Sequence, residues 1–174
     1  MRRFLVTFAV LILMTGTAFA RRVPLPIDQW DEETQATLAR AMVGEADWHR
    51  PDHVAIAFVL ARRWRLHNRN RSAITFREFI HLYSSPLKQK TERARWVQNL
   101  PWAPMPGRYE KRWDRVRRTV RHWGEGRVKD PCPNAMHWGG TMDRPAGHWA
   151  PVSCGQTRNI FYEIRRERRT RPEA

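Results

Sequence analysis

The stretch Glu32-Glu33-Thr34-Gln35-Ala36-Thr37-Leu38-Ala39-Arg40-Ala41-Met42-Val43-Gly44-Glu45-Ala46-Asp47 decides the fold class of this chain. Leu38, Ala41 and Met42 recur at the three- and four-residue spacing of one helix face, and Glu45 continues that face a turn later. The pattern predicts an amphipathic α-helix that begins near Asp31, with acidic residues in its first turn.

Glu45 is the candidate catalytic residue, because a carboxyl group on an apolar helix face is desolvated. Desolvation disfavours the charged form and raises the pKa, so the group can hold a proton and deliver it to a glycosidic oxygen. The alternative is a glutamate at the boundary of the core whose carboxylate reaches solvent past Gly44. The helix pattern alone leaves both interpretations open.

Four further helices are predicted along the chain. Pro51 is placed to open the second, whose apolar run Val54–Ala61 belongs in the core and returns to solvent at Arg62. Thr75 and Glu78 form a capping box for a short third helix, which breaks at the Tyr83-Ser84-Ser85-Pro86 stretch. The remaining two are predicted over Thr91–Leu100 and Arg108–Trp123.

Helical periodicity stops between Gly124 and Gly155, where glycine, proline and aromatic residues dominate. We expect an irregular loop there, or a short β-hairpin, before the segment Arg158–Arg166 returns Ile160 and Phe161 to the core. The sequence therefore predicts a small, mainly α domain with an irregular region near its C-terminal end.

Three segments in the same order resemble the cell-wall hydrolase family that includes the spore-cortex-lytic enzymes. The resemblance extends from about residue 35 to residue 162. The matching motifs are Leu38–Ala46 followed by Val54–Arg63, Gly126–Pro131 followed by Ala135–Trp138, and Cys154-Gly155 followed by Asn159–Tyr162.

The resemblance implies a lysozyme-like domain that cleaves peptidoglycan, with Glu45 as the acid. The family usually has a second glutamate shortly after the first, whereas this chain has Asp47-Trp48-His49-Arg50-Pro51 there. A lytic transglycosylase needs one acid, and a muramidase needs a second carboxylate. We therefore expect a lytic transglycosylase, with Asp47, Asp130 and Asp143 as candidate partners if the enzyme is a muramidase.

Aromatic rings pack against sugar rings, so a glycan-binding cleft needs exposed aromatic side chains. Trp138 and Trp149 lie in the irregular segment and are the expected glycan contacts, with His137 as a polar contact. Tyr162 corresponds to the closing Phe-Tyr of the family. Tyr83, with Ser84 after it, is a faint match to the family. These five residues form the predicted substrate-binding set.

Cys132 and Cys154 are the only cysteines, and in an oxidising compartment such a pair is most simply a disulfide. A zinc site built from these two residues with His137 and His148 is the alternative, although its spacing matches no standard zinc motif. We expect no metal and no cofactor.

The N-terminus has the pattern of a secretion signal, with Arg2 and Arg3 before an apolar run and Ala18-Phe19-Ala20 as the cleavage site. A retained membrane anchor is the alternative. The chain is expected to be periplasmic or extracellular. Its predicted organisation is a signal peptide over 1–20, a lead over 21–30, a cell-wall hydrolase-like domain over 31–164 and a basic tail over 165–174.

The formal net charge of +15 predicts attraction to polyanions. For an exported protein we expect peptidoglycan strands as the partner, weak association with anionic membrane surfaces, no nucleic acid and a monomer. Two other functions remain open. One is a non-catalytic wall-binding or assembly protein on the same scaffold. The other is a cationic protein that binds nucleic acid or membranes through its Arg-rich helix and tail.

Overall fold

A computed structural model describes residues 29–139 and 148–164. The predicted signal peptide, most of the lead, Asp143 and the basic tail lie outside these ranges. The described chain is mainly helical and carries a three-stranded antiparallel sheet. Its elements are α1 (Glu32–Ala46), α2 (Arg50–Asn70), α3 (Phe76–Tyr83), α4 (Ser85–Lys88), α5 (Glu92–Gln98), α6 (Gly107–Gly124), β1 (His137–Gly139), β2 (Trp149–Val152) and β3 (Ile160–Ile164).

Helix α1 begins where the sequence predicts. The side chain of Asp31 caps it by accepting a hydrogen bond from the backbone N–H of Thr34 at 2.6 Å. Leu38 and Met42 are fully buried, and α1 packs against α2, α3 and α6. The first helix is therefore central to the core, and it carries Glu45 in its last turn.

Helix α2 extends well beyond its apolar run, so the predicted return to solvent at Arg62 is wrong. Arg62 donates hydrogen bonds to the backbone carbonyls of Ala135 and Cys132, both at 2.8 Å, and forms an ion pair with Asp130. Trp64 is buried, and its indole N–H donates a hydrogen bond to the backbone carbonyl of Ile74. These tertiary contacts, which local sequence does not encode, keep Arg62 and Trp64 packed against the rest of the structure.

The other helical predictions are confirmed. Thr75 and Glu78 form both bonds of a capping box at the start of α3. In α6, Trp113 and Val120 belong to the buried stripe, while the arginines that line the opposite side are exposed.

The irregular segment contains two strands, β1 and β2, but they do not pair with each other as a β-hairpin would. Strands β1 and β2 both pair with β3 in the order β1-β3-β2, with Tyr162 opposite His137 on one side and Pro151 on the other. No helix in the described ranges is long and apolar enough to span a membrane.

The predicted disulfide between Cys132 and Cys154 is present, with a Cα–Cα distance of 5.1 Å. It ties the segment before β1 to the segment after β2. Both sulfur atoms are in this bond, so neither is a thiolate that could ligate zinc.

Candidate active site

The carboxylate of Glu45 lies where three elements meet. It accepts hydrogen bonds from the Ser84 hydroxyl at 3.1 Å, the Ser85 backbone N–H at 3.2 Å and the Trp138 indole N–H at 3.3 Å. These donors come from the end of α3, the start of α4 and strand β1. The side chain is half-buried, so it remains reachable from solvent.

Gly44 allows α4 to approach the carboxylate. A Cβ atom at this position would collide with the ring of Pro86, which directly follows Ser85. Ser84 is fully buried, and its own N–H is bonded to Ile80 at the end of α3. The glycine beside Glu45 therefore permits the close approach that brings both serines to the carboxylate.

Burial raises the pKa of Glu45 above its ordinary value of 4.5. The hydrogen bonds from Trp138, Ser84 and Ser85 and the positive charge of Lys88 oppose this shift but do not reverse it. All three hydrogen-bond donors are neutral, and among residues 29–139 and 148–164 no ion pair holds the carboxylate in its charged form. Glu45 is thus suited to give up a proton and to take one back.

Trp138, one of the predicted glycan contacts, lies against Glu45 in the structure. Only 8% of the residue is exposed, and its indole N–H points to the Glu45 carboxylate. A buried ring cannot offer its face to a sugar. Trp138 therefore positions the acid and is not an open stacking surface.

The other predicted aromatic contacts gather on the opposite face of the sheet. Side chains alternate along a strand, so His137 and Trp138 point to opposite faces. The His137 ring lies 5.4 Å from Trp149 and 6.0 Å from Tyr162, measured between centroids. Tyr162 is 5% exposed, which leaves His137 and Trp149, both half-buried, as the accessible pair.

Arg63 connects this aromatic face to Tyr83. A guanidinium N–H donates to Nδ1 of His137 at 3.4 Å, and the guanidinium carbon lies 4.8 Å from the centroid of the Tyr83 ring. Burial lowers the pKa of Arg63. Tyr83 precedes Ser84 and His137 precedes Trp138. The cation is therefore in contact with the chain neighbours of two residues that hold Glu45.

Sequence reasoning missed Arg63, Ser84 and Ser85 as site residues. The sequence does show a polar break directly after α3, where the two serines lie. Their contact with Glu45, however, depends on tertiary packing. No local signal separates Arg63 from the other arginines around it.

The two described candidates for a second carboxylate have structural partners. Asp47 is exposed and pairs with Arg93 at 3.1 Å. Asp130 is ion-paired with Arg62 and accepts a hydrogen bond from the N–H of Cys132 at 2.8 Å. The third candidate, Asp143, lies outside the described residues.

Asp52 is a buried carboxylate that the sequence analysis did not select, and it stabilises the surroundings of Glu45. Asp52 is 1% exposed and accepts hydrogen bonds from the backbone N–H groups of Arg158 and Asn159 and from the ring of His49. Asn159 in turn donates from its side-chain amide to the backbone carbonyl of Glu45 at 3.4 Å. Asp52 thus fixes the loop between β2 and β3 against the end of α1.

Two cavities in the described structure lie away from the Glu45 carboxylate. One, of about 810 Å³, lies between α1, α6 and Trp102. The other, of about 370 Å³, lies where α1, α2 and α6 meet. Glu45 lines neither of them.

Comparison of the chain with protein-family models, curated proteins and solved structures finds no match. The site geometry and the sequence motifs therefore carry the functional argument.

Proposed function

We propose that this protein is an exported peptidoglycan-cleaving enzyme, a lytic transglycosylase on a small lysozyme-like domain, with Glu45 as its single acid and base. The observation that carries the proposal is the state of the Glu45 carboxyl group. It is half-buried, it has a raised pKa, and three neutral donors from separate elements hold it in place.

The reaction needs only one residue to move protons. Protonated Glu45 gives its proton to the glycosidic oxygen, the bond from that oxygen to C1 of the muramic acid breaks, and positive charge develops at C1. The Glu45 carboxylate then takes the proton of the muramic C6 hydroxyl as that oxygen bonds to C1. The products are a new chain end and a 1,6-anhydromuramic acid, and Glu45 is protonated again.

Transglycosylation fits this site better than hydrolysis. A hydrolase needs a second carboxylate as nucleophile or to activate water. Asp47 and Asp130 already have cationic partners. The C6 hydroxyl is part of the substrate and stays close to C1, so its attack costs little entropy.

The remaining features support binding to the wall. His137 and Trp149 offer half-buried rings beside the cation Arg63, an arrangement suited to a sugar with an acidic substituent. The net charge of +15 favours retention on an anionic wall. On this proposal neither metal nor cofactor is needed.

The missing second glutamate, in whose place the chain has Asp47-Trp48-His49-Arg50-Pro51, favours a second candidate function, a wall-binding or assembly protein without catalysis. Such a protein would sediment with peptidoglycan but release no fragments. A substitution at Glu45 would then leave its behaviour unchanged.

The test incubates the purified full chain with purified peptidoglycan and analyses the soluble fragments by mass spectrometry. We expect fragments with anhydro ends, about 18 Da lighter than the hydrolysed form because capture by the C6 hydroxyl excludes water. Glu45→Gln should reduce their release by about 10²- to 10⁴-fold, the usual contribution of general acid–base catalysis.

Glu110→Gln is the matched control, since Glu110 is exposed in the first turn of α6. It should retain the wild-type rate. Full activity in a folded Glu45→Gln variant would remove Glu45 from the mechanism. Reducing ends alone would identify a muramidase, and sedimentation without cleavage would identify the wall-binding alternative.

A further inference from the structure

The cavity of about 370 Å³ at the junction of α1, α2 and α6 is unusually rich in positive charge. Four arginines line it, from the start of α2, from α6 and from the loop before β3: Arg50, Arg112, Arg115 and Arg158. Residues distant in sequence thus contribute four arginines to the lining of one space. None of them belongs to the group that holds the Glu45 carboxylate.

The charges around this cavity are not balanced by the protein. None of the four arginines forms an ion pair within residues 29–139 and 148–164. Asp47 is the one carboxylate among the described lining residues, and it is paired with Arg93 at 3.1 Å. The lining residue His49 is paired with Asp52 at 2.7 Å. Four like charges at one site repel each other, so an anion between them would relieve that repulsion.

The walls of the cavity are built from packed residues, which would hold such an anion in a defined place. Trp48, which lines the cavity, stacks against Tyr109, which is outside the lining, with centroids 5.5 Å apart at 15° between their planes. The guanidinium of Arg112 lies 5.5 Å from the centroid of the same Tyr109 ring. Buried residues of α2 and α6, including His53 and Val116, complete the lining.

We propose that this cavity is a binding site for a phosphate group. Guanidinium groups present forks of N–H donors that match phosphate oxygens and bind them through paired hydrogen bonds. A phosphate monoester carries a charge of about −1.5 to −2 at neutral pH and offers three free oxygens. A single carboxylate would offset less of the charge of four arginines and would satisfy fewer of their donors.

The phosphate could come from a free ion or from a lipid headgroup, and the chemistry of recognition is the same for both. The site is separate from the Glu45 carboxylate, so the proposal does not depend on peptidoglycan cleavage. Failure of one proposal would leave the other standing.

The test follows the thermal stability of the full chain during titration with inorganic phosphate, at constant ionic strength maintained with chloride. We expect a saturable rise in Tm, because a ligand that binds only the folded state stabilises it. The variant Arg115→Gln/Arg158→Gln should weaken phosphate binding about tenfold or more, since each lost charged hydrogen bond contributes about 1.5–3 kcal/mol.

The control variant is Arg69→Gln/Arg71→Gln, which removes the same charge from exposed positions around the end of α2. It should bind phosphate as the wild type does. Equal weakening in both variants, or a rise in Tm that never saturates, would overturn the site, because either result indicates diffuse attraction. Without phosphate the cavity variant should have a Tm equal to or above that of the wild type, because two of the four repelling charges are gone. The control should retain the wild-type Tm, and circular dichroism checks the fold of both variants.

Vesicles distinguish the two sources. The wild type, the cavity variant and the control are sedimented with vesicles of phosphatidic acid, whose headgroup is a phosphate monoester, and phosphatidylcholine. Binding lost only in the cavity variant assigns the lipid headgroup as a source. Equal binding by all three proteins assigns the site to the free ion.

Discussion

Glu45 and Asp52 are two carboxylates withdrawn from water on consecutive helices, and their surroundings differ in kind. Asp52 is 1% exposed and accepts hydrogen bonds from two backbone N–H groups and from the His49 ring. Glu45 is half-buried, and its donors are two neutral side chains and one backbone N–H. One carboxylate is fully engaged in holding a loop, and the other has its pKa raised by burial.

The comparison shows that burial alone does not identify a catalytic acid. A buried carboxylate that satisfies the donors of a loop is a structural element, and its loss exposes those donors. Burial destabilises the charged form of the other kind of carboxylate. Such a group is ready to transfer a proton, but it lowers the stability of the fold. We therefore expect substitutions at the two positions to have opposite effects on the folded state.

The largest effect on stability is expected for Asp52→Ala. The backbone N–H groups of Arg158 and Asn159 would lose their acceptor, and the free energy of unfolding should fall by about 3 kcal/mol. Urea denaturation measures the change, with Asp114→Ala, at an exposed position in α6, as the control. A loss no larger than that of the control would mean that Asp52 does not anchor the loop.

A smaller effect is expected for Trp138→Phe, which removes one donor from Glu45. That hydrogen bond lowers the pKa of Glu45, so its loss should raise the pKa further. A hydrogen bond to a charged group contributes about 1.5–3 kcal/mol. The alkaline limb of the activity profile should move to higher pH.

Trp102→Phe serves as the control for this experiment, since Trp102 is 85% exposed and remote from Glu45 in the sequence. It should leave the pH profile unchanged. A shift of the Trp138→Phe profile to lower pH would contradict the proposed role of the indole N–H.

The smallest effect is expected for the stability of Glu45→Gln. The pKa of Glu45 is raised by folding, so the unfolded chain ionises first as pH rises above 4.5. Wild-type stability should therefore fall through the window between that value and the folded pKa. Glutamine does not ionise, so the variant avoids this loss of stability. Its free energy of unfolding at pH 7 should exceed that of the wild type by about 1 kcal/mol or less.

This gain in stability should disappear near pH 4, where Glu45 of the wild type is protonated in both the folded and the unfolded chain. Differential scanning calorimetry at the two pH values measures it, with Glu110→Gln for comparison. A Glu45→Gln variant less stable than wild type at pH 7 would indicate that the charged carboxylate stabilises the fold.

Local sequence was sufficient where local interactions decide the structure. The start of α1 follows from Asp31 and its backbone bond to Thr34, and the start of α3 follows from the pairing of Thr75 with Glu78. The apolar face that carries Glu45 is encoded by spacing within one helix.

The rest depends on contacts between distant segments. The end of α2 stays packed because Arg62 binds residues of the 130–135 segment, and no pattern within α2 predicts that partner. Strand β1 likewise joins the sheet only by pairing with β3, a segment farther along the chain. Asp52 was missed because its importance comes from the loop that it anchors, far along the chain.

The most direct test of the central claim is a titration of the Glu45 carboxyl group beside the activity profile. Carbon-13 NMR of glutamate-labelled protein, with Glu45→Gln to assign the signal, gives the pKa of this group. The rate of fragment release from peptidoglycan gives the pH dependence of the reaction. We expect the pKa to lie above 4.5 and the alkaline loss of activity to follow it. A carboxyl that titrates at or below 4.5, or an activity that does not follow its titration, would contradict the role of Glu45 as the acid.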